Sequence, residues 1–136
     1  MKNKYAKSKG FNLIELMVVL IILGIIVSIA LPAYTDQMIA SRRSDGQAAL
    51  LNMSALMEHY YTENNTYVGA TAATLNITNL SQQGYYQLSI SNLTATTYTL
   101  TATPVAGGPQ VSDAACGALS ITNTNVKSPN PTLCWD

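Results

Sequence analysis

Apolar positions come first as an unbroken block and only later as periodic patterns. From Leu16 to Thr35 the string LMVVLIILGIIVSIALPAYT holds twenty residues without a charge, and at about 1.5 Å per residue a helix of that length covers the roughly 30 Å hydrocarbon layer of a bilayer. Farther on, from Tyr34 to Tyr61, the pattern turns amphipathic: Ala49, Met53, Leu56 and Tyr60 recur at i, i+4, i+7 and i+11. Together the two segments predict one helix of about fifty residues, roughly 75 Å long. Its first half is suited to a membrane or a filament, and the stripe on its second half to packing against elements folded later. Gly24 and Pro32 are expected to bend or loosen it, since proline removes a backbone donor and crowds the preceding turn. A true helix end at Pro32 is the other reading.

Residues 63–84, ENNTYVGATAATLNITNLSQQG, have no clear period and read as an irregular connection. Alternation of period two follows. Tyr86, Leu88 and Ile90 fall on one face of Tyr85 to Ser91, and Tyr98, Leu100 and Ala102 on one face of Thr97 to Thr103, with a hairpin between. After Gly107-Gly108-Pro109, Ala118 to Thr122 predicts a third strand, and Asn123 to Asn125 a turn into a short fourth segment around Val126. The expected fold class is α+β: a long N-terminal helix, partly transmembrane, packed on a small antiparallel β-sheet within residues 85–127. The tail SPNPTLCWD is too rich in proline for a central strand.

Composition narrows this to one small head, because setting the membrane segment aside leaves only about a hundred residues to build a core. Charged residues are 10% of the chain and hydrophobic ones 48%, which excludes a disordered polyion and an ordinary charge-rich cytosolic domain. The zero net charge hides an asymmetry. Lys2, Lys4, Lys7 and Lys9 precede Gly10, while residues 11–136 set Arg42, Arg43 and Lys127 against seven carboxylates, a net of −4. A broad basic surface for nucleic acid is therefore not on offer.

The start of the chain behaves as a signal, but not as an ordinary secretory one. A secretory signal carries its small-residue cleavage site after the apolar run; here Pro32 and Ala33 lead directly into another helical pattern. The lysines before Gly10 set the orientation, since cytoplasmic flanks carry the lysine excess and the rest of the chain then faces outward. Cys116 and Cys134, an even and minimal count behind an export-type start, read as one disulfide, a closure that would stabilise by roughly 3 kcal/mol. Two free buried thiols are the alternative. Glu15 does not fit a plain anchor, because intramembrane carboxylates are costly and normally mark function. Either it sits at headgroup depth, favoured by the helix dipole, or it needs a partner.

The string KGFNLIELMVVLIILGIIVSIALPAY, Lys9 through Tyr34, resembles the N-terminus of type IV prepilins. The resemblance implies a class III leader, residues 1–10, removed by a prepilin peptidase that cuts between Gly10 and Phe11 and methylates the new N-terminus at Phe11. It implies residues 11–35 as the transmembrane and filament-core helix and residues 36–136 as the head: helix 36–62, connecting loop 63–84, sheet 85–127 and a disulfide region 116–134. Glu15 falls on the family's glutamate, whose implied role is to pair with the N-terminal ammonium of a neighbouring subunit. A charge pair formed at low dielectric sets register, since either charge left alone is heavily penalised. ASRRSDGQAALLNMSALMEHYYTENNTY, then ACGALSIT, a lysine and CW near the end, are most similar to minor pilins of the PilE type.

That resemblance implies a structural, non-enzymatic subunit without cofactors, first single-pass in the inner membrane with a periplasmic C-terminus, then in an extracellular pilus. Its implied partners are other pilin subunits, the prepilin peptidase and the inner membrane, and its implied uses are attachment, twitching motility and DNA uptake. No nucleophile elbow, phosphate loop or carboxylate pair suggests an enzyme. His59, with Glu58 and Tyr60 beside it and Glu63 one turn away, lacks a second His or Cys and reads as a solvated face rather than a metal site. Two rivals remain. A DNA-binding minor pilin would need Arg42, Arg43 and Lys127 on phosphates, a weak footprint; the arginines instead suit neighbouring carboxylates such as Asp36 and Asp45, or lipid headgroups. A type II secretion pseudopilin would be expected to hold its C-terminal region with calcium and clustered acids, whereas Asp113 and Asp136 stand isolated in the sequence.

Overall fold

A computed structural model of the chain describes residues 10–129 and 131–135. The predicted leader before Gly10, with its four lysines, lies outside the described residues, as do Asn130 and Asp136. Helix α1 runs Leu13–Asn64 and is followed by strands β1 (Tyr86–Ser91), β2 (Thr99–Pro104), β3 (Leu119–Thr122) and β4 (Lys127–Ser128). A single 3-10 turn, Pro109–Ser112, precedes β3, and a four-residue helix α2, Pro131–Cys134, closes the chain. The chain divides into two compact units, the first ending at Gln37 and the second beginning at Met38.

Helix α1 has 52 residues, in line with the predicted length, and continues through Pro32. The alternative of a helix end at Pro32 is thereby corrected: the helix continues through Ala33 and beyond at the cost of one lost backbone donor. Side-chain hydroxyls make local bonds around this point, Ser28 Oγ donating to the Ile25 carbonyl at 2.7 Å and Thr35 Oγ1 to the Pro32 carbonyl at 2.8 Å. In the first unit the apolar side chains from Phe11 to Tyr34 are exposed.

The second unit builds its own core. The face of α1 that is buried there is Gly46, Leu50, Met53 and Met57, at i, i+4, i+7 and i+11. This is a correction to the predicted stripe. Met53 belongs to both sets, but Ala49, Leu56 and Tyr60 are only half-buried and flank the contact. Gly46 explains the rotation: a Cβ there would sit 2.9 Å from the Tyr86 ring, so only glycine lets β1 approach this face. A hydrophobic-period search passes over glycine, which has no side chain to count.

The sheet is an antiparallel meander in the order β1-β2-β3-β4. Its register sets Leu88 opposite Ala102 and Leu100 opposite Ile121, so the inward residues of three strands meet on one face, as the alternation predicts. The first hairpin is longer than expected, because Thr97 turns back on Thr94 through their hydroxyls at 2.6 Å and the second strand starts only at Thr99. The fourth segment falls at Lys127–Ser128 rather than on Val126, since Val126 completes the turn by accepting from the Thr122 amide at 3.1 Å. The connection after α1 is irregular, but its Asn79–Ser81 stretch straps the outer edge of β1: the Leu88 amide donates to the Asn79 carbonyl at 2.8 Å, and the Ser81 amide to the Tyr86 carbonyl at 2.9 Å.

Candidate functional site

The first turn of α1 is built by Asn12. Its carbonyl accepts from the amides of Glu15 and Leu16 at 3.0 and 3.2 Å, and its side chain from the Ile14 amide at 3.4 Å. Asn12 thus stands as the N-cap and Glu15 as the third helical residue, where a carboxylate is favoured by the amide-rich end of the helix. Glu15 is exposed and has no ion pair or hydrogen-bonding partner for its carboxylate among the described residues. Phe11 and Leu13 are 78% and 75% exposed beside it. Gly10 precedes the helix, and Gly24 lies inside it with nothing within 4 Å of the place a Cβ would take. Helix α1 is long and apolar enough to cross a membrane, with a mean hydropathy of 3.0 in its most apolar window.

A second constellation lies in the second unit, around the Cys116–Cys134 disulfide. Arg43 on α1 grips Asp113 with two parallel bonds, Nε to Oδ2 at 2.9 Å and Nη2 to Oδ1 at 3.0 Å. Its third nitrogen donates to the Leu133 carbonyl at 3.2 Å, one residue before Cys134. The same carboxylate also accepts from Gln110 Nε2 at 3.0 Å and from the Cys116 amide at 3.3 Å. Gln47, one turn along from Arg43, donates to the Cys134 carbonyl at 2.7 Å. Both arms of the disulfide loop are thereby tied to the helix by charge-assisted and neutral bonds as well as by sulfur.

This arrangement corrects one expectation and gives Asp113 its partners. Asp113, isolated in sequence, is buried and accepts four hydrogen bonds. Arg43 meets Asp113 rather than Asp36 or Asp45, a partner seventy positions away that no local spacing signals. The other two cations of the proposed nucleic-acid set are also engaged: Arg42 lies over the Tyr85 ring at 5.5 Å and Lys127 over the Trp135 ring at 5.2 Å. The structure does not gather the three into a patch on one partner. His59 and Glu63 are 3.8 Å apart and both exposed, and the described residues contain no group of three or more His, Cys, Asp or Glu placed to hold a metal.

Sequence reasoning also missed a tyrosine cluster. Glu58 accepts from Tyr67 Oη at 2.9 Å and from Tyr98 Oη at 2.9 Å, tying the connecting loop and β2 to one turn of α1. Tyr61 and Tyr98 flank the Tyr67 ring at 4.6 and 4.8 Å. Burial, with the Glu58 carboxylate adding to it, raises the Tyr67 hydroxyl well above its ordinary value; burial chiefly pushes Tyr86 and Tyr98 up to about 12.

Comparison with known proteins decides among the possible homes of such a fold. The family profile "Type IV minor pilin ComP, DNA uptake sequence receptor" matches residues 32–120, and "Prokaryotic N-terminal methylation motif" matches residues 5–31. The chain belongs to the type IV minor pilin family. This pilin is 38% identical over 65 residues to the fimbrial protein EcpC of Eikenella corrodens, a match covering 48% of the chain and 42% of that protein. It is 43% identical over 72 residues to the type IV major pilin protein PilE1 of Neisseria gonorrhoeae, covering 47% of the chain and 42% of that protein. The pilin thus spans less than half the length of these curated relatives. Among solved structures, a type IV pilin from Shewanella oneidensis matches 72% of the chain and 98% of its own, with 27% identity and a TM-score of 0.53.

Proposed function

We propose that this pilin is a structural, non-enzymatic subunit of a type IV pilus, a minor one, which enters the filament through its N-terminal helix. The observation that carries this reading is the first unit itself: an apolar helix surface exposed from Phe11 to Tyr34, interrupted at its start by one exposed carboxylate, Glu15. Such a surface needs a non-aqueous surrounding, first lipid and then other pilin helices. Cleavage between Gly10 and Phe11 by a prepilin peptidase removes four of the seven basic residues and exposes the ammonium of Phe11, which is then methylated. Glu15 of a neighbouring subunit is the group that receives that charge. Before assembly the chain is single-pass in the inner membrane with its C-terminus periplasmic; afterwards it lies in an extracellular filament serving attachment, twitching motility and DNA uptake.

Glu15→Leu tests this directly. The variant is expected to insert and to be cut after Gly10, measured by mass spectrometry of the membrane fraction, yet to be missing from sheared filaments. Incorporation equal to wild type would overturn the pairing role.

A second reading, a receptor for DNA, is favoured by the description of the matching family. The electrostatics of the second unit weigh against it, with three cations facing four carboxylates among its described residues and Arg43 held by Asp113. A gel-shift titration of duplex DNA with the detergent-solubilised full chain at low salt separates the two; absence of a shift removes the receptor reading. The pseudopilin rival loses support from the disulfide that closes the C-terminal region where calcium was the expected alternative.

A further inference from the structure

Between α1 and the strap on β1 runs a cleft of about 490 Å³, lined by Asp45, Ala48, Ala49, Asn52, Ile77, Leu80 and others. Asp45 is 6% exposed. One of its oxygens, Oδ1, accepts from the Gln83 amide at 3.1 Å, while the other, Oδ2, is buried without a hydrogen-bond partner. Arg42, one turn earlier on α1, lies over Tyr85 and forms no ion pair with Asp45, and its own Nε is likewise buried without a hydrogen-bond partner. A buried carboxylate oxygen left unmatched is costly, so whatever donates to it gains an unusually large share of its hydrogen-bond energy.

We propose that this cleft is a binding site for an aliphatic ammonium group. The chemistry of the walls selects that class. Ala48, Ala49, Ile77 and Leu80 offer an apolar channel for a short methylene chain, and Asp45 supplies the single negative charge at its side. The Asn52 amide, another lining group, adds a neutral acceptor for a second N–H of the ammonium. The terminal torsion of aspartate is broad and soft, so a small rotation turns Oδ2 toward an arriving donor. One carboxylate with amide and hydroxyl neighbours is too little charge for a divalent cation, which takes six or more oxygens. The site is built from residues of the second unit alone and goes beyond the filament role. An ammonium on a methylene chain is carried both by free alkylamines and by lysine side chains of other proteins.

The test is calorimetric titration of the detergent-solubilised full chain with butylammonium chloride, with sodium chloride at equal ionic strength as control, and then with an otherwise uncharged peptide carrying one lysine. Saturable binding of butylammonium but not of sodium is expected, and Asp45→Asn should weaken it about tenfold or more, the loss of one charge-assisted hydrogen bond. A peptide that binds more tightly than butylammonium assigns the site to a partner's lysine; a peptide that does not bind assigns it to free amines. Should Asp45→Asn fail to fold, Ala48→Leu decides, because leucine is a good helix former and its branch fills the cleft. Loss of binding in Ala48→Leu supports the site. Absence of saturable binding to the wild type, equal heats with sodium, or unchanged affinity in either folded variant overturns it.

Discussion

The two units of this pilin use the same residue types to opposite ends. In the first, ending at Gln37, leucines, isoleucines and valines stand exposed, from Val19 at 46% to Leu13 at 75%. In the second, Leu50, Leu100 and Leu119 are fully buried, and two of its buried polar groups, Asp113 and Gln110, are bound to Arg43 and to each other. Hydrophobicity alone therefore does not make a core. A stripe opposed by a sheet gives a self-sufficient head; an apolar cylinder uniform on all sides has no inward face and draws its stability from what surrounds it.

The sharpest way to break this comparison is the same substitution in each unit. Leu50→Ala should cost about 4 kcal/mol, as a large buried side chain leaves a cavity, whereas Leu20→Ala should leave unfolding of the detergent-solubilised monomer unchanged. Thermal and urea unfolding of the full chain in detergent measure both, and equal effects would remove the distinction. Next comes Cys116→Ser with Cys134→Ser, expected to cost about 3 kcal/mol from the freed loop. The C-terminal segment should nonetheless stay on α1, seen as unchanged Trp135 fluorescence, because Arg43 and Gln47 hold Leu133 and Cys134 by their carbonyls.

Asp113→Ala should cost about 2 kcal/mol, less than a fully buried pair because the Arg43 side chain is 15% exposed and can regain water. Combined with the cysteine pair it should lose more than the sum, since both ties restrain one loop. The smallest effect at neutral pH belongs to the tyrosines. Burial pushes Tyr86 and Tyr98 up to about 12 in the folded state, from the ordinary value of about 10, so the folded state holds more protons between those values. Stability is then full below pH 10 and falls as pH rises toward 12. Alkaline unfolding that coincides with tyrosinate absorbance would show it, and a head equally stable at both ends of that interval would contradict it.

Legibility from sequence followed the range of the interactions. The strands were readable because alternation is local, and β1, β2 and β3 begin within two residues of their predicted starts. Hydrophobic spacing points to a helical stripe one position off the buried face, because the tightest contact there is Gly46 against Tyr86, which such spacing cannot register. In sequence Arg43 has only local carboxylates to suggest as partners, and Asp113 has no acidic neighbours at all. Their pairing spans seventy residues and exists only once the sheet returns the chain to α1.

By itself the sequence determined the order of elements, the length and uniform apolarity of the N-terminal helix, the place of Glu15 at its start, and two cysteines able to close the end of the chain. These follow from covalent order and from periodicities of two and 3.6, which each segment expresses without reference to the others. The tertiary structure alone decided which face of α1 is buried, that all three cations of the head are engaged, and that Asp45 is enclosed with one oxygen unmatched. Those outcomes depend on which surfaces meet across tens of residues, and burial turns a polar side chain into either a satisfied tie or an open site only after they have met.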